Sequence, residues 1–175
     1  MRFLGSRSNP LETEKTASLD EKDWRILELL ATNARMSIAR LSQKTNLSRD
    51  VVKYRLKKLV SERVIESFLI FVNLPRVGFP VWGFLHIRFQ NITPKREQEF
   101  INFVRGNPNI IFAHSTLGAW DFGIEFFARN PKHFFELQKE VKEKFGDIIK
   151  DTETGSMVEV YKTIYVPPSP FPAKE

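Results

Sequence analysis

Apolar positions in the first third of the chain recur at helical spacing. Trp24, Leu27, Leu30 and Ala31, with Ile26 beside them, make one stripe. Ile38, Leu41 and Ser42 make a shorter one, and Val52, Leu56, Leu59 and Val60 a third. Each stripe follows a residue suited to cap a helix: Asp20, with Asp23 as a second acid in the first turn, then Ser37, then Ser48. Thr45-Asn46 breaks the second helix, because Asn tolerates the left-handed backbone of a tight turn. Leu47 then plugs the core at that turn. From Val64 to about Asn73 the residues are β-branched and aromatic, which predicts an extended strand. Three short helices, a tight turn between the second and third, and a following strand form the pattern of a winged helix-turn-helix.

The rest of the chain has a different period. Leu74-Pro75-Arg76-Val77-Gly78-Phe79-Pro80 is rich in breakers and predicts a hinge. Strands are predicted over 81–90, 110–116, 122–128 and 152–166. The first helix between them opens at Thr93-Pro94, with Phe100, Phe103 and Val104 inward. The second opens at Asn130-Pro131, with Phe134, Leu137, Val141 and Phe145 inward. The order β-α-β-β-α-β is that of a ferredoxin-like antiparallel sheet with two helices on one face. The predicted fold class is therefore α+β, a winged helix-turn-helix joined to a βαββαβ domain. The expected divisions are a polar leader over 1–18, a helical module over 19–66 and a strand and hinge over 67–80. A sheet module over 81–166 and a proline-rich extended tail over 167–175 follow. Phe84, Ile87, Phe89, Phe122, Phe126, Phe127, Tyr161 and Tyr165 occupy both parities of the strands. The face away from the helices thus needs a cover, and a second copy of the sheet in a symmetric dimer is the natural one.

Charge sharpens this division. The 175 residues carry a formal net charge of +6. Residues 1–66 hold +5 of it and residues 67–175 only +1, while the window 35–63 alone reaches +7. Phenylalanine runs the other way: 15 of the 16 lie beyond residue 66. There is no cysteine, which excludes disulfides, thiolate metal sites and a cysteine nucleophile. His86, His114 and His133 fall on separate elements without metal-ligand spacing, so no metal or other cofactor is expected. No apolar run reaches the ~20 residues of a membrane-spanning helix, and Met1-Arg2-Phe3-Leu4 opens no signal peptide. A cytoplasmic location is the resulting expectation.

The basic window lies where a helix-turn-helix meets duplex DNA, its expected partner. Arg35, Arg55, Lys57, Lys58 and Arg63 are candidate phosphate anchors, which set affinity and its salt dependence. Ser48, Arg49, Asp50, Lys53 and Tyr54, on the first turns of the third helix, are candidate base readers. Arg35 fits a helix-end ion pair equally well, and a charged helix face is more often simply solvated. Val51 points outward and suits either a thymine methyl or helix packing. In the second module, Gly118 fits a turn of positive φ. Asp121 fits either a ligand's amino group or the backbone N–H groups of its own turn. Thr116 and Trp120 flank the same turn and could line a pocket.

Several strings match one family in register. They are Leu19-Asp20-x-x-Asp23-x-x-Ile26-Leu27-x-x-Leu30, Asn33-Ala34-Arg35-x-Ser37, Leu47-Ser48-x-x-x-Val52-x-x-Arg55-Leu56-x-x-Leu59, Val64-Ile65, and the Gly118-x-x-Asp121 turn. Across roughly 19–166 the chain resembles the Lrp/AsnC (feast/famine) regulators. The resemblance implies a prokaryotic transcription regulator that pairs as a homodimer, assembles further from dimers and binds operator DNA. It also implies, as in many members, an amino-acid effector near Thr116, Gly118, Trp120 and Asp121. The chain departs from that pattern at Arg63 and Asn46, where glycine is usual, and at Leu41-Ser42 in place of Leu-Ala. Two rival readings stand beside it: an Lrp-like enzyme such as a siroheme decarboxylase subunit, and an interaction module that no longer binds DNA. No carboxylate dyad, glycine-rich phosphate loop or Ser/His/Asp set supports an enzyme.

Overall fold

The computed structural model of the chain describes residues 16–162 and 166–171. Most of the predicted leader, Tyr165 and the last four residues lie outside these. The described residues form two compact units, one of residues 72–160 and one of residues up to 71 with the segment after 160.

The helical unit contains α1 (Glu21–Thr32), α2 (Ile38–Thr45) and α3 (Arg49–Ser61). Their starts are fixed locally. Asp20 accepts from the Asp23 N–H while the Asp23 carboxylate accepts from the Asp20 N–H, a reciprocal capping box. Ser37 and Ser48 cap α2 and α3 by accepting from the N–H groups of Arg40 and Val51. Asn46 takes φ +59 and turns the chain between α2 and α3. Ile26, Leu41, Val52 and Leu59 are fully buried. Ala31 and Val60, expected on the inner stripes, are exposed, because each sits about 100° round its helix from the side chain that does meet the core, Leu30 and Leu59 respectively.

The strand expected from Val64 to Asn73 does not form. That segment pairs with no strand among the described residues, and Phe68, Leu69, Ile70 and Phe71 are exposed. Arg63 adopts φ +56 just after α3, the left-handed position where glycine costs least.

The sheet unit contains β1 (Val81–Phe89), α4 (Pro94–Gly106), β2 (Ile110–Ser115), β3 (Phe122–Ala128), α5 (Pro131–Phe145) and β4 (Ile149–Ser156). The strands lie antiparallel in the order β2-β3-β1-β4. Leu85, Ile87, Ile124, Phe126 and Ala128 face the helices and meet Phe100, Val104, Leu137, Val141 and Phe145. Gly83 leaves the space that the Phe134 ring fills.

The last strand is earlier and shorter than the 152–166 expected. Its partner β1 starts at Val81, after a proline that cannot donate, so pairing stops where Met157 N–H reaches the Trp82 carbonyl. Val166, expected to end that strand, instead packs on the helical core of Ile26, Leu27 and Leu59.

Candidate nucleic-acid interface

The geometry of the helical unit sorts its basic residues into two groups. Val52, Arg55, Leu56 and Leu59 lie toward the core side of α3, and Arg49, Asp50, Lys53, Tyr54 and Lys57 are exposed. Tyr54 is 70% exposed in the middle of that outer surface. Asp50 and Lys53 approach to 3.8 Å one turn apart. The Ser48 hydroxyl, a candidate base reader, already accepts from the Val51 N–H as the helix cap.

Two of the expected phosphate anchors turn inward. Arg55 Nη1 donates to Asp20 Oδ1 and Asp23 Oδ1, both at 2.7 Å. Lys58 Nζ lies 3.6 Å from Asp23 Oδ2 and donates to the Ser18 carbonyl. Asp23 is fully buried, so a charge must answer it, and α3 supplies two. Burial works to raise the Asp20 carboxyl, but the Asp23 N–H and the Arg55 guanidinium outweigh it and hold it below the usual carboxylate range. Arg55 and Lys58 therefore tie α3 to the start of α1. Arg35, Lys57 and Arg63 remain exposed, and no carboxylate pairs with them among the described residues.

A shallow groove between α2 and α3 is lined by Ser37, Ala39, Arg40, Ser42, Gln43 and Arg49. Arg40 and Gln43 escape a sequence reading, since the short helix carrying them shows only its capping and its apolar positions. The +7 window that includes Arg40 is the one signal that could have found it.

In the sheet unit the turn after β2 is held from several sides. Thr116 Oγ1 donates to the Trp120 carbonyl, and Gly118 takes φ +150. The Asp121 carboxylate accepts from the Phe89 N–H at 2.7 Å, so its first role is to fasten this turn to β1. Arg88, which the sequence pattern does not single out, donates from Nε and Nη2 to the Ala119 carbonyl at 3.0 and 2.6 Å. Its guanidinium also sits 5.2 Å from the centre of the Trp120 ring. The structure thus brings Thr116, Gly118, Trp120 and Asp121 into one rigid turn. On the helix side of that turn a cavity of about 360 Å³ is lined by Phe89, Ile92, Glu97, Phe100, Asp121 and Phe122 among others. Among the described residues no group of three or more His, Asp or Glu could hold a metal ion. No described helix is long and apolar enough to cross a membrane.

The comparisons agree with this architecture. Residues 19–66 match a family model described as winged helix-turn-helix DNA-binding. An HTH-type transcriptional regulator of Pyrococcus horikoshii is 33% identical over 140 residues, covering 80% of this chain and 91% of that protein. The HTH-type transcriptional regulator LrpA of Bacillus subtilis is 29% identical over 93 residues, 53% of this chain and 66% of that one. Among solved structures, a transcriptional regulator of Neisseria meningitidis in complex with L-Met superposes with a TM-score of 0.79 at 19% identity, covering 86% of this chain and 97% of that one. The AsnC protein of E. coli superposes with a TM-score of 0.73 at 21% identity, covering 86% and 99%. A capped three-helix reader, an antiparallel βαββαβ unit and relatives spanning nearly their full length together place this chain in the Lrp/AsnC family of HTH-type transcription regulators.

Proposed function

We propose that the chain binds specific duplex DNA sequences through residues 19–66 and controls transcription there as a homodimer in the cytoplasm, with no catalytic step of its own. The observation that carries this reading is the outer surface of α3, where Arg49, Lys53, Tyr54 and Lys57 stand exposed on a helix anchored by its opposite side. Asp50, Lys53 and Tyr54 reach base edges in the major groove, while Arg35, Lys57 and Arg63 neutralise phosphates. Residues 67–80 link this module to the sheet module that follows.

The sheet module supplies self-association and sensing. Its face away from the helices carries Trp82, Phe84, His86 and Arg88 on β1 and Phe127 on β3. The Phe84 and His114 rings lie down over Gly155 and Gly123, where a Cβ would meet them at 2.6 Å. Glycine thus flattens an aromatic face, a shape suited to a second sheet related by a two-fold axis. Higher assembly from such dimers follows the family. An amino-acid effector at the Thr116–Asp121 turn is supported by the rigid turn, its neighbouring cavity and the L-Met complex of the Neisseria relative.

Selection of bound fragments from a genomic DNA pool, with and without an amino-acid mixture, tests this reading. The expected product is a pseudo-palindrome with half-sites about one helical turn, or a multiple of it, apart. Recovery of no enriched sequence under either condition contradicts sequence-specific binding.

A further inference from the structure

The cavity beside the Thr116–Asp121 turn has an uneven lining. Phe89, Phe100 and Phe122 give it an aromatic wall, and Phe100 meets each of the other two rings edge to face. Glu97 from α4 and Asp121 from the turn add two carboxylates. The other five lining residues are neutral, so no lysine, arginine or histidine lines the space. The arginines next to Phe89 and Glu97 in sequence are engaged elsewhere. Arg88 holds the Ala119 carbonyl and the Trp120 ring, and Arg96 pairs with Glu99 and Asp147.

Both carboxylates keep capacity for a ligand. Asp121 Oδ2 accepts from the Phe89 N–H, and Oδ1 has no protein partner among the described residues. Glu97 stands one turn before Phe100 and Ile101 on α4, and no cation pairs with it among the described residues. Two negative charges beside an apolar wall make the cavity strongly negative, because the wall keeps away the water that would screen them. The faces of aromatic rings attract a ligand of the same sign, a cation. The volume of about 360 Å³ lies at the small end of the range for ligand pockets. An ammonium group on a small apolar body satisfies the carboxylates and the rings together. A ligand carboxylate finds no cation there and meets two like charges.

We propose that this cavity selects a small apolar amine by its ammonium group, and that a carboxylate on the ligand weakens binding. Glu97 is the residue that sets this preference. Asp121 shares in it but also fastens the turn to β1, so it cannot be changed alone without disturbing the fold. The preference needs only the field that the two carboxylates share across one cavity. The proposal rests on the effector reading above and narrows it: the amino group is the handle, and the carboxylate of an amino acid is a liability.

The test titrates the full-length protein calorimetrically with L-methionine, L-methionine methyl ester and 3-(methylthio)propylamine. The three share an amino group and an apolar chain and differ at the carboxylate. The ester and the amine bind about tenfold more tightly than L-methionine. Glu97→Gln weakens the amine about three- to tenfold and narrows its lead over L-methionine. Glu97→Lys, at an exposed position where the fold is unaffected, reverses the order and favours L-methionine. L-methionine binding more tightly than the amine to the unmodified protein overturns the proposal and leaves the effector reading standing. So does amine affinity that is unchanged in both Glu97 variants. Unmodified protein that takes up none of the three also overturns the proposal. Titration with an amino-acid mixture then decides the effector reading separately: heat of binding keeps it, and none removes it.

Discussion

Phe100 in the sheet unit meets Phe89, Phe122 and Phe145 edge to face, at centroid distances of 5.2, 5.1 and 5.1 Å. Around these rings a continuous set of buried side chains runs from Leu85 on β1 to Ile148 before β4. The helical unit has nothing comparable. Ile26, Leu27 and Leu59 make its buried cluster, edged by Leu19, Trp24, Leu30, Leu56, Val64, Ile65 and Val166. Beside that small core it buries a carboxylate, Asp23, against two cations. A module this small cannot bury much apolar surface, and it must keep one side of its third helix polar for a partner. Its remaining hold between α1 and α3 is electrostatic, which is strong while complete and costly when broken.

Breaking the ion cluster gives the largest contrast. Arg55→Met leaves Asp23 buried with one distant cation and destabilises the helical unit by about 3–5 kcal/mol, read by urea unfolding. Replacing Asp23 with Leu in the same chain restores most of that loss. If the double variant stays as unstable as Arg55→Met, the unit depends on packing rather than on charge. In the sheet unit Phe100→Ala costs a similar ~3–5 kcal/mol, but no second substitution of a charge rescues it.

Smaller effects sharpen the same division. Arg63→Gly relieves a left-handed backbone and raises the unfolding free energy by up to about 1 kcal/mol, while weakening DNA binding. A variant that gains stability and keeps full affinity removes Arg63 from the phosphate contacts. Lys57→Gln shifts stability by less than about 0.5 kcal/mol, because Lys57 is exposed and has no partner among the described residues. It nevertheless weakens all duplexes alike in an anisotropy assay.

Acid acts on both units, and most gently. Arg96 holds the Asp147 carboxyl below its ordinary value, and Asp20 is lowered as described. A lowered carboxyl stabilises the fold above its unfolded value near 4, and that contribution is lost as pH falls through the folded value. Thermal melts between pH 5 and pH 2 therefore show falling stability. Asp20→Asn, which keeps a capping side chain, flattens the part that belongs to the helical unit. An unchanged pH profile in that variant places the acid sensitivity elsewhere.

The sequence is most informative where structure is local. Asp20, Ser37, Ser48, Thr93 and Asn130 each cap the helix predicted to follow them, because a cap acts across three residues. It is least informative where partners lie far apart along the chain. Arg55 and Asp23 are 32 residues apart, and nothing in a run of basic residues distinguishes a cation facing inward from one facing solvent. Arg88 grips a carbonyl 31 residues away, and β4 ends where its antiparallel partner β1 begins. Val166 leaves its expected strand for the helical core, a choice made by the available apolar surface rather than by its neighbours in sequence. The candidate DNA residues were thus readable as a region, and their separation into anchors of the fold and contacts for a partner needed the three-dimensional pairing.

The central claim is that the unpaired cations around α2 and α3 exist to meet DNA phosphates. The most direct test is the salt dependence of duplex binding by the unmodified protein. With about six phosphates neutralised per dimer, the logarithm of the association constant falls by about five for each tenfold rise in salt. Binding that is flat across that range, or absent at low salt, contradicts the claim.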